Sequence, residues 1–215
     1  AVLLIAEETF DTTRVEIEVA TARTYPGNVF ADFEGANDIF LGNFEFELDL
    51  RVTGVSEAVP AGQGDKFYLL RSTGGPIVAD PFFIGLIDIR PRGRGLFTVP
   101  TSVPENLYFN FLLRGFDSDL TIAVIQVISD GNGTGQYELD RDTVFPLEAI
   151  PVDFEGWRLV SLPVSELGMT QAQAQSIVAV RVVLISDNNA QTSPPTPVDF
   201  GIDYITFTAG GPLQP

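Results

Sequence analysis

Cysteine and histidine are both absent from this 215-residue chain. Without cysteine no disulfide can staple the fold, and thiolate metal ligands and cysteine nucleophiles are excluded. Without histidine the side chain that titrates nearest neutral pH is missing, so neither a Ser-His-Asp triad nor a histidine zinc site can be assembled. Lysine is nearly missing too: Lys66 is the only one among 12 basic residues, which stand against 29 acidic ones for a net charge of -17. Neutralising phosphates requires a basic face, so nucleic acid is not an expected partner. No stretch approaches the ~20 apolar residues of a membrane-spanning helix. The apolar run Val2–Ile5 is too short for a signal-peptide core and has no basic flank, which suggests a chain that follows a removed export signal or upstream domains. An acidic, lysine-poor surface fits either a saline habitat or an ordinary exported protein. The expected location is extracellular or at a cell surface.

What is present points to strands. Hydrophobic residues make up 45% of the chain, enough to bury a large core, and Phe is abundant at 17 against a single Met and a single Trp. The 20 Gly and 15 Pro suit many short strands joined by tight turns. Val15, Ile17 and Val19 alternate with Arg14, Glu16 and Glu18, and Phe44–Leu50 repeats that code, so both stretches read as half-exposed strands. Further strands are expected at 66–71, 82–90, 107–114, 120–129, 157–163, 177–186 and 200–208. Turn clusters such as Asp130-Gly-Asn-Gly-Thr-Gly135 separate them. One short helical turn is expected within 164–175, where Met169-Thr-Gln-Ala-Gln-Ala-Gln175 collects good helix formers. The fold class is therefore all-β, an antiparallel β-sandwich of about nine or ten strands. Residues 1–25 read as an extra strand or hairpin, 26–209 as the sandwich domain, and 210–215 as a linker or tail.

Several motifs carry the functional reading. The last third contains Asp153-Phe-Glu-Gly-Trp157-Arg-Leu-Val-Ser-Leu-Pro163, then Val178–Ser186, then Asp199-Phe-Gly-Ile-Asp203-Tyr-Ile-Thr-Phe207. Together with Asp32-Phe-Glu34, taken as an opening acidic-aromatic strand, and Leu107–Arg114, taken as a central strand, this pattern resembles carbohydrate-binding modules with the galactose-binding-like jelly-roll fold. The stretch from Asp130 through Asp140 and Asp142 to Gly156-Trp157 is similar to a run in cell-surface lipoproteins of polysaccharide-digesting bacteria. The resemblance spans roughly residues 30–212 and implies a non-catalytic module that binds a polysaccharide, not an enzyme.

Trp157 has two readings, a ring stacked on the apolar face of a sugar or a core residue between the sheets, and the resemblance implies the core. Tyr25, Tyr68, Tyr108 and Tyr137 are then the candidate sugar platforms, each with a flat ring and a hydroxyl. Arg90, Arg92 and Arg94 form a basic cluster that could grip an acidic sugar or simply offset the acidic surface. Two acidic groups are candidates for structural calcium. Asp130, Asn132 and Asp140 lie in a glycine-rich loop with oxygens at roughly calcium-loop spacing, although Arg141 stands where the closing Glu would be. Asp32, Glu34 and Asp203 match the terminal calcium position that the resemblance implies, where three carboxylates would repel one another without a cation. Asn132-Gly-Thr134 also has the N-glycosylation pattern. A different reading makes the chain a structural subunit of a fibre, surface layer or adhesin, self-assembling by adding its N-terminal strand to a neighbour's sheet.

Overall fold

A computed structural model describes residues 4–8, 11–15, 28–34, 39–45, 50–57, 64–72, 82–91, 95–147, 149–186 and 198–213. Twelve strands follow one another: β1 Leu4–Glu8, β2 Asp11–Val15, β3 Asn28–Ala31, β4 Ile39–Glu45, β5 Leu50–Glu57, β6 Lys66–Ser72, β7 Phe82–Arg90, β8 Leu107–Ser129, β9 Thr143–Pro146, β10 Ile150–Pro163, β11 Ile177–Ser186 and β12 Asp199–Ala209. β1 and β2 form an antiparallel two-stranded sheet of their own, with Leu4 opposite Val15. The other ten strands are hydrogen-bonded into one antiparallel sheet. Helix is confined, among the described residues, to 3-10 turns at Pro104–Asn106 and Val164–Leu167 and one α-helical turn, Gln171–Ala174. A capping box starts that turn, with the Thr170 side chain accepting from Gln173 N.

The ten-stranded sheet folds over itself because β8 is long enough to serve two layers. Its first half pairs with β12 and with the end of β10; its second half pairs with β11 and β9. β3, β6 and β5 extend the first layer beyond β12, and β7 and β4 extend the second beyond β11. The change of layer falls at Gly115–Asp117, where Asp117 has a left-handed φ of 56°. Gly115 is required there, because a Cβ at that position would lie 2.3 Å from the carbonyl oxygen of Phe154 on β10.

Period-two alternation sends one set of side chains inward. Leu107, Phe109, Phe111, Leu113, Ala123, Ile125 and Val127 of β8 meet Val180, Val182 and Leu184 of β11 and Phe200, Ile202, Ile205 and Phe207 of β12 in one core. Phenylalanine dominates it: Phe207 packs against Phe97 at 5.3 Å and Phe109 at 5.1 Å between ring centroids. A bulge in β12 between Asp203 and Thr206, with Tyr204 at φ 43°, turns two successive residues outward and so keeps both Ile202 and Ile205 inside.

The all-β sandwich agrees with the sequence reading, with corrections of detail. The strands expected at 107–114 and 120–129 are one 23-residue strand. The acidic-aromatic segment Asp32–Glu34 lies just beyond β3 rather than within a strand, with Phe33 at φ 57°. β10 begins at Ile150, so Trp157 is at its middle and not at its start. Glu45 closes β4 and Leu50 opens β5, so the strand expected over 44–50 belongs to two elements, with 46–49 outside the described residues. β2 ends at Val15, and 16–19 are likewise outside them.

Candidate functional site on the outer face of the first layer

The residues that alternate with the core set on β8 are Tyr108, Asn110, Leu112 and Arg114, and they define the opposite, outer face. Register carries that face across the strands. Trp157 of β10 is opposite Arg114, Arg114 is opposite Gly201 of β12, and Gly201 is opposite Leu69 of β6. Directly opposed residues share a face, so these positions form one row.

Gly201 is what lets the row pack. A Cβ there would sit 2.8 Å from the Phe67 ring and 3.1 Å from Arg114 Cβ. The space holds the buried Phe67, whose ring meets the Trp157 indole edge-on at 5.1 Å and 85°. Trp157 also packs against the small cluster of Leu112, Tyr204 and Leu213. It is nevertheless only half-buried, which corrects the expectation of a core tryptophan. The reason is its parity: Val160 and Leu162 of β10 pack against the core, and Trp157 alternates with them and points away from it.

Beside the indole lies a charged cluster built from three strands. Asp199 Oδ1 accepts from Arg71 Nε at 2.9 Å and from Arg114 Nη1 at 2.7 Å, and its Oδ2 accepts from Arg114 Nη2 at 2.8 Å. Arg114 is thus bidentate, and Arg71 brings a second guanidinium to the same carboxylate, with Nη2 at 2.8 Å from Oδ1. Burial works against the charged carboxylate, but the hydrogen bonds from Arg114 and Arg71 outweigh it and hold Asp199 below its ordinary range. The cluster carries two positive charges and one negative.

The face is closed at one end by the C-terminal segment. Leu213 is buried, and its N–H donates to Asn110 Oδ1. The Asn110 side-chain amide donates to Thr208 Oγ1 at 3.1 Å, and Thr208 in turn donates to the Gly211 carbonyl. The C-terminal segment is therefore held on the domain through Gly211 and Leu213.

The sequence-derived candidates scatter over the molecule. Tyr68 is 1% exposed within the core and offers no ring face to a ligand, because its parity on β6 is inward. Tyr108 is half-buried on the outer face of the first layer. Tyr137 lies over the second layer, with its hydroxyl donating to Asp88 Oδ2 at 2.9 Å. Arg181 Nε donates to the other oxygen of Asp88 at 2.5 Å, and its Nη2 donates to the Tyr137 oxygen at 2.6 Å. That phenol is pushed well above its usual range by burial and by the Asp88 charge. Arg90 ends β7 with a buried Nε that makes no hydrogen bond among the described residues. Tyr25, Arg92 and Arg94 lie outside the described residues.

Most members of the two acidic groups accept hydrogen bonds within the protein. In the loop, Asp130 Oδ1 accepts from the N–H groups of Asn132 and Gly133, and Oδ2 from Gly135 at 2.6 Å. These backbone hydrogen bonds outweigh a desolvation effect and lower the Asp130 pKa. Asn132 donates to Glu138 Oε2, and Asp140 is exposed. Asp142 accepts from Gly131 N and Glu138 N, tying the two sides of the loop together. In the other group, Glu34 Oε1 accepts from Asp65 N and Lys66 N at 2.7 Å each, Asp32 Oδ1 accepts from Glu34 N, and Asp203 is buried with Oδ1 accepting from Tyr204 N. Among the described residues no three Asp or Glu side chains are gathered as a metal seat.

Sequence reasoning missed Arg71, Arg114 and Asp199. Arg71 and Asp199 sit near strand ends and Arg114 within β8, each beside an apolar run, but the partners are 128 and 85 positions apart in the chain.

The architecture is the jelly roll of carbohydrate-binding modules. One similar structure is SGBP-B from a complex xyloglucan utilization locus in Bacteroides uniformis, with a TM-score of 0.52 at 14% identity. The match covers 85% of this chain and 49% of that one, so the chain spans about half of the Bacteroides protein. Another is the family 30 carbohydrate-binding module of a cellulosomal cellulase of Clostridium thermocellum, with a TM-score of 0.52 at 13% identity over 86% of this chain and 98% of that one. At such identities the likeness establishes the fold. No protein-family model and no curated protein matches the sequence.

Proposed function

We propose that this chain is a non-catalytic module that binds an extracellular polysaccharide on the outer face of its first layer. The observation that carries this reading is the half-buried Trp157, held edge-on against Phe67 and set beside the Arg71–Asp199–Arg114 cluster. A pyranose presents apolar C–H groups on one face and hydroxyls at its rim. An indole meets the first by stacking, and guanidinium and carboxylate groups meet the second by hydrogen bonding. The fold, shared with carbohydrate-binding modules, supports the assignment by analogy.

The same geometry argues against hydrolysis at this face. A glycosidase needs a carboxyl that holds a proton near its working pH and a second one facing it. Asp199 is held ionised by two arginines, the opposite of what a proton donor requires.

Hydrated sugars gain little net energy per hydroxyl, so single-site affinity is expected between about micromolar and millimolar, roughly 4–8 kcal/mol. The direct test is affinity electrophoresis through a panel of soluble polysaccharides, starting with xyloglucan. Retardation by at least one polysaccharide, lost in Trp157→Ala with the melting transition still cooperative, is the expected outcome. No retardation by any member of the panel would contradict the reading.

A further inference from the structure

We infer that the preferred ligand is a carboxylate-bearing polysaccharide, recognised through the N–H groups of Arg71 that Asp199 leaves unused, with Arg114 anchoring the aspartate. This rests on the glycan-binding reading of the same face and specifies its substrate class.

The argument begins with how few cations the chain has. Twelve basic residues must serve a molecule of net charge -17, and the only lysine is Lys66. Two of the arginines nevertheless converge on one aspartate, which leaves this cluster, among the described residues, one positive charge in excess beside the half-buried tryptophan. Elsewhere, Arg181 is matched with Asp88 and Arg141 with Glu138, one to one. The convergence on Asp199 thus departs from the pairing that charge neutrality alone would give.

Donor geometry points the same way. Each guanidinium has five N–H donors in a fixed fork. Arg71 turns its Nε and Nη2 edge toward Asp199, which leaves Nη1 out of the contact, and its side chain is 44% exposed. Arg114 spends both of its terminal nitrogens on Asp199 and is 17% exposed, so it anchors the aspartate while Arg71 presents the open edge. A planar carboxylate can accept two parallel N–H bonds from such an edge. Asp199 also fixes both forks in advance, which lowers the ordering cost of binding. Repulsion from the distant acidic surface is damped beyond about 8 Å at physiological ionic strength, so the local excess decides.

The test uses matched pairs: polygalacturonate, alginate and glucuronoxylan, each beside its carboxyl-reduced derivative, with dextran sulfate beside dextran. At least one acidic polymer should bind tenfold or more tightly than its reduced partner, with the difference shrinking as salt rises. In Arg71→Gln the ratio should fall toward one, with unchanged circular dichroism as the check on folding. Equal binding of a pair by wild type, abolished by Trp157→Ala, would overturn the carboxylate assignment while leaving the glycan reading intact. Binding of neither member of any pair would overturn the carboxylate assignment, and together with no retardation by xyloglucan it would overturn the glycan reading as well. A stronger preference for dextran sulfate, or an acid preference that survives Arg71→Gln, would also refute the assignment.

Discussion

Replacing Gly201 by alanine adds a single methyl group and should disturb both the core and the proposed site. Gly201 lies in β12 between Arg114 and Leu69, and the added Cβ would fall 2.8 and 2.9 Å from two carbons of the Phe67 ring and 3.1 Å from Arg114 Cβ. Real contacts of this kind need well over 3 Å, so the ring must move by roughly half an ångström or more. Phe67 is fully buried and rigid, and the Trp157 indole lies 5.1 Å away against its edge, so the displacement is transmitted to the tryptophan. Overpacking of this size costs about 1–3 kcal/mol. Loss of glycine's freedom in the unfolded chain returns about 0.4–1 kcal/mol, leaving a net loss of about 1.3 kcal/mol at mid-range and about 2.6 kcal/mol at most. For a chain of this length each kcal/mol moves Tm by about 2–4 °C, so a fall of about 3–5 °C is expected. Because Trp157 is the only tryptophan, its emission spectrum reports the local shift without interference. A second substitution, Phe67→Leu, should relieve the clash and recover part of the loss, a coupling that a double-mutant cycle measures. An unchanged or raised Tm for Gly201→Ala, with wild-type emission, would refute the packing argument.

Three further outcomes follow from the ionised and hydrogen-bonded groups. Tyr137→Phe leaves the Asp88–Arg181 pair but removes a hydroxyl bonded to both, and should cost about 1–2 kcal/mol in a denaturant melt. Asp199 has a lowered folded pKa, so its stabilisation is present above the ordinary carboxylate pKa near 4 and is lost as pH falls through the folded value. The Tm gap between wild type and Asp199→Asn should therefore be widest above about pH 5 and close on acidification; a gap independent of pH would contradict the ion cluster. Asp130→Ala removes the acceptor for three loop N–H groups and should lower Tm equally in calcium and in chelator, whereas a fall confined to calcium would make Asp130 a cation ligand.

The legible parts of the sequence were those set by local periodicity. The ranges 82–90 and 177–186 match β7 and β11 residue for residue, because each is a mostly apolar run, broken only by Gly85 and Asp88 in one and Arg181 in the other, that ends in a polar residue. The helical turn was visible from the good helix formers of residues 169–175, and the capping box of Thr170 and Gln173 fixes where it starts. The joining of two expected strands into β8 was not visible, since Gly115 and Asp117 read as a turn and act instead as a bend within one strand. Trp157 was misplaced for a related reason. Alternation shows that two faces exist, but which face is covered depends on pairing with β8 and on Leu213 folding back over the sheet. The charged cluster was least accessible, because Arg71, Arg114 and Asp199 meet only through β6–β12 and β12–β8 pairing.

The central claim is that a glycan sits on the face bearing Trp157, and that single indole is a built-in probe of it. Titrating the intact chain with the polysaccharide that retards it most should shift and change the Trp157 emission saturably. The dissociation constant should match that from electrophoresis and lie between about micromolar and millimolar. Binding confirmed by electrophoresis but silent in Trp157 emission, and unaffected in Trp157→Ala, would place the ligand elsewhere and contradict the account.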